Sequence, residues 1–278
     1  MLDLTDRRSV VIAFDHGTEG AVRGGEDVPR MLDAIARSQA DGVLLTTGLA
    51  RRFPGEAGTT PAPAVLAGLD VPVFGTGIGT GAKLVTTRQL WSPADAAAAG
   101  AVMCKMLLPL GLEDADAWAD AIARIGRAGA EAARASLPFM VEPAFWGPAA
   151  QQSDKAILDA ARLSVELGAD VLKVPGPRDP ETLAALVAWS PVPVLILGGT
   201  PRDGADFLGQ VVAWMAAGAS GVVVGRNVWN RPQPTAAIDA LVRAVRHGDL
   251  DGARESMAAA GEPLPSAALR YDQEEEQG

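Results

Sequence analysis

Lysine is scarce in this chain: Lys83, Lys105, Lys155 and Lys173 are its only four, and arginine supplies the rest of the 24 basic residues. Two of the four stand where a charge is hard to accommodate. Lys105 lies in the run Met103-Cys104-Lys105-Met106-Leu107 and Lys173 in Val171-Leu172-Lys173-Val174, where an unpaired ammonium loses its hydration without compensation. Burial and a second cation nearby both disfavour the charged form of an amine. A neutral amine attacks a ketone or aldehyde to form an imine, which acts as an electron sink while the adjacent C–C bond breaks or forms. Lys173 is expected to carry this chemistry, with Lys105 as the second cation. The competing reading is a lysine paired with Glu142 or Asp15 for structure alone. Lys155 follows Asp154 at a helix start and reads as solvated, whereas Lys83, in the polar segment GTGAKLVTT, fits a surface position and a ligand contact equally.

Imine chemistry also needs groups that move protons. Asp15 and Glu142 each follow an apolar run; one is expected to serve carbinolamine formation and the other to take a substrate hydroxyl proton as the C–C bond breaks. His16 either shuttles protons or holds the first loop by hydrogen bonding. Two further segments, Gly198-Gly199-Thr200 and Gly225-Arg226, have the glycine-rich character of loops whose backbone N–H groups face an anion. Arg226 adds a charge-assisted contact to phosphate, or else pairs with a helix acid at the surface. The candidate site is therefore Lys173, Asp15, Lys105, Glu142 and His16 for catalysis, with Gly198, Gly199, Gly225 and Arg226 for a substrate phosphate.

Residues so far apart in sequence need a fold that gathers them. Short runs rich in Val, Ile and Leu recur, separated by Ala-rich stretches of helical length, the pattern of βα units around a parallel sheet. Eight strands are expected, at 9–14, 42–46, 71–75, 102–108, 138–142, 171–174, 193–197 and 222–224. Helices are expected at 113–135, 154–167, 203–217 and 235–246, with 249–260 packed beside the last. Gly100, Gly168 and Gly218 each end an Ala-rich stretch just before a strand, as a helix-terminating glycine does. The fold expected is α/β, a single (β/α)8 TIM barrel over residues 1–262, followed by an acidic tail at 263–278. In that architecture the active site forms where strands end and βα loops begin, and each candidate falls there. An open doubly wound sheet would bring a GxGxxG turn after its first strand, which 17–25 does not supply.

Composition narrows the partners. A formal charge of -10 and a pI near 4.7 disfavour a nucleic-acid surface. No apolar stretch is long enough for a membrane span, despite a hydrophobic fraction of 48%. One cysteine, Cys104, and two histidines, His16 and His247, disfavour disulfides and a histidine-based zinc site, so no metal or cofactor is expected. The start, MLDLTDRRSVV, lacks secretory features, and a cytoplasmic location is expected. Trp118, Trp189 and Trp214, on expected helices, are either core anchors or subunit contacts; a homo-oligomer is expected.

The segments VVIAFDHGTEGA, FMVEP, GADVLKVP, LILGGTPRD and GASGVVVGRNVWN occur in this order at the expected strand ends. Together they resemble the class I, Schiff-base aldolase superfamily of archaeal-type fructose-bisphosphate, tagatose-bisphosphate and deoxyribose-phosphate aldolases. The resemblance implies a lyase acting on a phosphorylated keto-sugar or related carbonyl compound, with Lys173 as the imine-forming lysine, Asp15 as the aspartate of the first motif and phosphate loops at Gly198, Gly199, Gly225 and Arg226. The tagatose-bisphosphate branch is similar in placing a lysine on strand four and a glutamate on strand five, which implies Lys105 and Glu142 as partners in proton transfer. The chain departs from the fructose-bisphosphate pattern after strand five: it reads Glu142-Pro143-Ala144-Phe145-Trp146 where that pattern has a tyrosine acid, and its one tyrosine is Tyr271. Two alternatives share these residues: a transaldolase-like or acyl-transfer enzyme on a phosphorylated dicarbonyl, and a non-catalytic sugar-phosphate-binding barrel.

Overall fold

The structure, a computed structural model, describes residues 8–20, 24–52, 62–75 and 83–264. Along the chain come strands β1 (Ser9–Ala13), β2 (Gly42–Thr46), β3 (Ala64–Gly68), β4 (Asp70–Phe74) and β5 (Leu84–Gln89), then β6 (Met103–Pro109), β7 (Phe139–Ala144), β8 (Val171–Pro175), β9 (Val194–Leu197) and β10 (Gly221–Val224). Eight of them close into a parallel barrel in the order β1-β10-β9-β8-β7-β6-β3-β2, while β4 and β5 pair as a separate antiparallel hairpin. The fold is the expected (β/α)8 barrel.

One strand differs from the sequence expectation. The third barrel strand is not 71–75 but β3, Ala64–Gly68, and the run at 71–75 belongs to the hairpin. The physical reason lies in the side chains. β3 reads Ala-Val-Leu-Ala-Gly, with one β-branched residue, whereas 71–75 carries two valines and a phenylalanine and has the stronger strand propensity. Burial separates the two: Val65, Leu66 and Ala67 are buried, as a strand covered on both faces requires, while Val71, Val73 and Phe74 are only partly so.

Helices fill the connections: α1 (Val28–Ala36), α2 (Thr47–Ala50), α3 (Pro93–Ala98), α4 (Ala115–Arg134), α5 (Asp154–Glu166), α6 (Pro180–Trp189), α7 (Gly204–Ala216), α8 (Arg226–Trp229), α9 (Pro234–Val242) and α10 (Leu250–Ala260). All but α8 and α9 start on a capping short polar side chain. Asp114 accepts from the N–H groups of Asp116 and Ala117, and Ser92 with Asp95 forms a reciprocal box at α3, satisfying donors that a helix start otherwise leaves free. The expected stop glycines have positive φ, +82° at Gly100, +93° at Gly168 and +97° at Gly218. α4 places Ala121, Ile125, Ala128 and Ala132 in the core, the i, i+4, i+7, i+11 stripe of an amphipathic helix. Full burial of a side chain such as Ile125 contributes about 1.5–3 kcal/mol. Trp214 is also core, edge-on to Phe207, whereas Trp189 is partly exposed. Residues 265–278, which hold most of the expected acidic tail, lie outside the described residues.

The barrel interior sets the stage for the site. Val11, Ala13, Leu44, Leu66, Met103, Met140, Val171, Leu195 and Val223 form one apolar cluster inside the ring. Strand side chains alternate faces with period two, so two residues further on the same inward face comes round again. There stand Asp15, Thr46, Gly68, Lys105, Glu142, Lys173, Leu197 and Gly225, all lining one cavity.

Candidate active site

That inward layer is where the chain changes from apolar to charged, at the C-terminal ends of the strands. A cavity of about 330 Å3 opens on it. Lys173, on β8, is 4% exposed, and its Nζ lies 2.8 Å from Glu142 Oε1. The other carboxylate oxygen, Oε2, is 2.9 Å from Lys105 Nζ, and Lys105 in turn is 3.0 Å from Asp15 Oδ2. The four side chains make a line of alternating charge, Asp15, Lys105, Glu142, Lys173. Both lysines expected at the site are in it, and the structural refinement is that Glu142 stands between them.

The electrostatics follow from this line. Burial opposes every charge in it, but opposite charges prevail. Desolvation would raise the Asp15 and Glu142 carboxyls, yet Lys105 and Lys173 hold both below the ordinary carboxylate range. Desolvation would likewise lower Lys105, but Asp15, Glu142 and Asp70 raise it above the usual lysine value. Its two carboxylate partners thus favour the charged form of Lys105 at neutral pH. His16 behaves in the opposite way: burial, with Lys173 and Arg226 adding to it against Asp15, lowers its imidazole to about 4. It is neutral at pH 7, its Nδ1 3.6 Å from Asp15 Oδ1 and its ring edge-on to Trp229 at 5.4 Å.

The phosphate candidates gather at the ends of β9 and β10. Gly198, Gly199, Gly225 and Arg226 all line the cavity. Two glycines are sterically required. Gly199 has φ +70°, a region costly for other residues, and a Cβ on Gly225 would stand 2.7 Å from His16 Cε1 and 2.9 Å from the Ala13 carbonyl oxygen. Arg226 pairs with no helix acid among the described residues, and its buried Nε has no hydrogen-bond partner there. The two loops are tied together by Asn227, whose Nδ2 donates to the carbonyls of Gly198 (3.0 Å) and Thr200 (3.1 Å) while its Oδ1 accepts from Arg202 N–H at 3.1 Å.

Two residues in the cavity wall escape a sequence reading. Arg202 follows β9, hydrogen-bonds Gln210 and lies over the Phe207 ring, 5.9 Å from its centroid. Asp70 is buried, and its carboxylate accepts the Leu107 N–H with both oxygens at 3.0 and 3.2 Å. Burial pushes the Asp70 carboxyl up to about 7 against the pull of Lys105. The remaining lysines are outside: Lys155 pairs with Asp159 on the exposed face of α5, and Lys83 is exposed. Cys104 is the buried hydrophobe expected, its thiol pushed up to about 12 by burial.

Comparison with known proteins points to an aldolase family. The model of the DeoC/LacD family of aldolases matches residues 9–231. A 2-amino-3,7-dideoxy-D-threo-hept-6-ulosonate synthase of Halobacterium salinarum is 31% identical over 252 residues, which cover 89% of each chain. A class 1 fructose-bisphosphate aldolase of Thermoproteus tenax is 30% identical, over 87% of this chain and 90% of its own. Among solved structures, a Schiff-base-forming fructose-1,6-bisphosphate aldolase superposes with a TM-score of 0.72 at 27% identity, covering 86% of this chain and 94% of its own.

Proposed function

Given that the chain belongs to the DeoC/LacD aldolase family and is a class I Schiff-base aldolase, we propose that Lys173 forms the imine, that Glu142, Asp15, Lys105 and His16 serve it, and that the substrate is a phosphorylated ketone or keto-sugar. The observation that carries this reading is the Lys173 amine, buried at the cavity floor with a carboxylate 2.8 Å away.

In the cleavage direction the Lys173 proton passes to Glu142, and the free amine adds to the substrate carbonyl. The carbinolamine hydroxyl takes a proton back from Glu142 and leaves as water. The resulting iminium draws the electron pair of the adjacent C–C bond as a carboxylate takes the proton of the hydroxyl on the departing carbon. That carbon leaves as an aldehyde and an enamine stays on Lys173. Protonation of the enamine and attack by water return the amine and release the ketone. Asp15, which follows β1, is the most exposed of the four side chains and is ionised at neutral pH, so it fits the acceptor of the hydroxyl proton. Lys105 orients both carboxylates. Neutral His16 fits a proton relay beside Asp15. Arg226, Arg202 and the glycine loops fit a phosphate on the retained keto half.

Borohydride reduction in the presence of dihydroxyacetone phosphate tests the assignment. The expected result is one added reduced ketone on Lys173 by peptide mass spectrometry, absent from Lys173→Met, which keeps its affinity for inorganic phosphate. Trapping on another lysine, or none in a protein that binds the ketone, overturns it. Among the described residues no helix is long and apolar enough to cross a membrane. A cytoplasmic homo-oligomer whose barrel spans 1–262 remains part of the proposal; the partly exposed Val85, Leu90 and Trp189 fit subunit contacts, and light scattering tests it.

A further inference from the structure

The cavity cations that have no carboxylate partner among the described residues sit on one side of the barrel. In the ring order β1-β10-β9-β8-β7-β6-β3-β2, Arg202 and Arg226 follow the neighbours β9 and β10, and the positions across the ring are β6 and β3. On that far side Lys105, on β6, is held between Asp15 and Glu142, and the rest of the wall is Leu107, Asp70 and Pro72, flanked by Thr46 at the end of β2 and by Phe145 and Trp146 after β7. Apart from that paired lysine, its one ionisable group among the described residues is an acid, Asp70.

The charges can be matched. Lys105 and Lys173 are balanced by Asp15 and Glu142, and neither Arg202 nor Arg226 pairs with a carboxylate among the described residues. Two uncompensated guanidiniums suit one phosphate dianion. A second phosphate, at the other end of a bisphosphate, would meet a carboxylic acid, a proline and aromatic rings, and like charge or an unpaired anion discriminates strongly against a ligand. The segments 53–61 and 76–82, which join α2 to β3 and β4 to β5, contain no Lys, Arg or His. Arg51, at the end of α2, is exposed and near enough to Asp95 to help lower its carboxyl.

We propose that the aldehyde half of the substrate carries no phosphate or carboxylate and packs between Phe145–Trp146 and the Asp70–Pro72 wall, so that the substrate bears a single phosphate, on its keto half. Trp146, 40% exposed, forms the outer edge of this subsite and Thr46 offers a hydroxyl to an aldehyde hydroxyl. This rests on the imine-aldolase reading and deepens it.

The experiment separates the two claims. The full chain is first trapped with dihydroxyacetone phosphate and borohydride; failure there is a failure of the imine assignment. Unreduced protein with dihydroxyacetone phosphate is then given glyceraldehyde or glyceraldehyde 3-phosphate, and aldol product is measured by mass spectrometry. The expected second-order rate is higher for the uncharged aldehyde by at least about tenfold. An equal or higher rate with the phosphorylated aldehyde, or addition to neither in a protein that traps the ketone, overturns the proposal. Trp146→Arg places a cation on the far rim and is expected to shrink the preference at least about threefold, because an opposite charge attracts the phosphorylated aldehyde. An unchanged preference in a folded variant overturns the location.

Discussion

Replacing Lys105 with Met removes the cation that lies 3.0 Å from Asp15 and 2.9 Å from Glu142. Methionine keeps an unbranched chain of similar length, so the loss is of charge more than of volume. Burial is the largest influence on both carboxyls and Lys105 is the largest one opposing it. Without it two buried acids share a site with one remaining cation, and one of them is driven toward the protonated form. In the intact protein both carboxyls are held below their unfolded values; the stability they contribute is present above pH ~4 and is lost as pH falls through the folded values. In Lys105→Met that contribution disappears, and breaking a buried pair removes about 3–5 kcal/mol, to be read as a fall in the urea midpoint. Catalysis reports the same change. Between pH 5 and 9 (a working range of roughly the kind used for such profiles) the intact protein shows no acid limb from these carboxylates. The variant gains one: kcat rises with pH as the shared proton leaves. Coincident pH profiles for the two proteins would refute the role given to Lys105, even if the variant were less stable.

Asp70 makes a separate pH prediction. Its carboxyl is raised from 3.8 to about 7, so the folded state prefers the protonated form and stability falls as pH rises between those values, by about 4 kcal/mol in all. Asp70→Asn keeps an acceptor for the Leu107 N–H and removes the titration; denaturant midpoints at acid and neutral pH are expected to differ less in the variant than in the parent, and parallel curves would contradict the assignment. Arg226→Ala removes a charge-assisted contact of about 1.5–3 kcal/mol, which raises KM for the phosphorylated ketone roughly 10- to 100-fold while trapping on Lys173 at saturating ketone persists. A variant that binds inorganic phosphate as well as the parent would move the phosphate elsewhere.

Polar residues that interrupt or end apolar strands made most of the candidate site legible, and strand alternation explains why they converge. Met103 and Lys105, Met140 and Glu142, Val171 and Lys173 are each two residues apart, so once the apolar member faces the barrel interior the charged one must as well. What stayed hidden depends on context that one strand does not carry. With 71–75 read as the third strand, Asp70 falls at its N-terminal end, the face of a barrel remote from chemistry. With β3 ending at Gly68, the same residue follows a C-terminal end and enters the cavity. Arg202 gives no signal in sequence because a loop arginine before a helix is usually solvated; its place at the cavity comes from Asn227, which clamps the loops after β9 and β10 together.

The sequence also suggested two lysines acting directly on each other, and the interposed Glu142 changes that logic. In the line Asp15, Lys105, Glu142, Lys173 the middle members each have two opposite neighbours and the end members one. A proton lost from Lys105 uncovers two buried carboxylates, whereas one lost from Lys173 leaves Glu142 still paired with Lys105. Position in the line therefore supports the proposal that Lys173, and not Lys105, is the imine-forming lysine, with no difference in burial needed, since both are buried to nearly the same degree. The same reasoning ranks stabilities: Lys173→Met, at an end, is expected to lose less than the ~3–5 kcal/mol of Lys105→Met. Denaturant midpoints of the two variants at neutral pH decide it, and a larger loss for Lys173→Met would show that the charges do not act as a line.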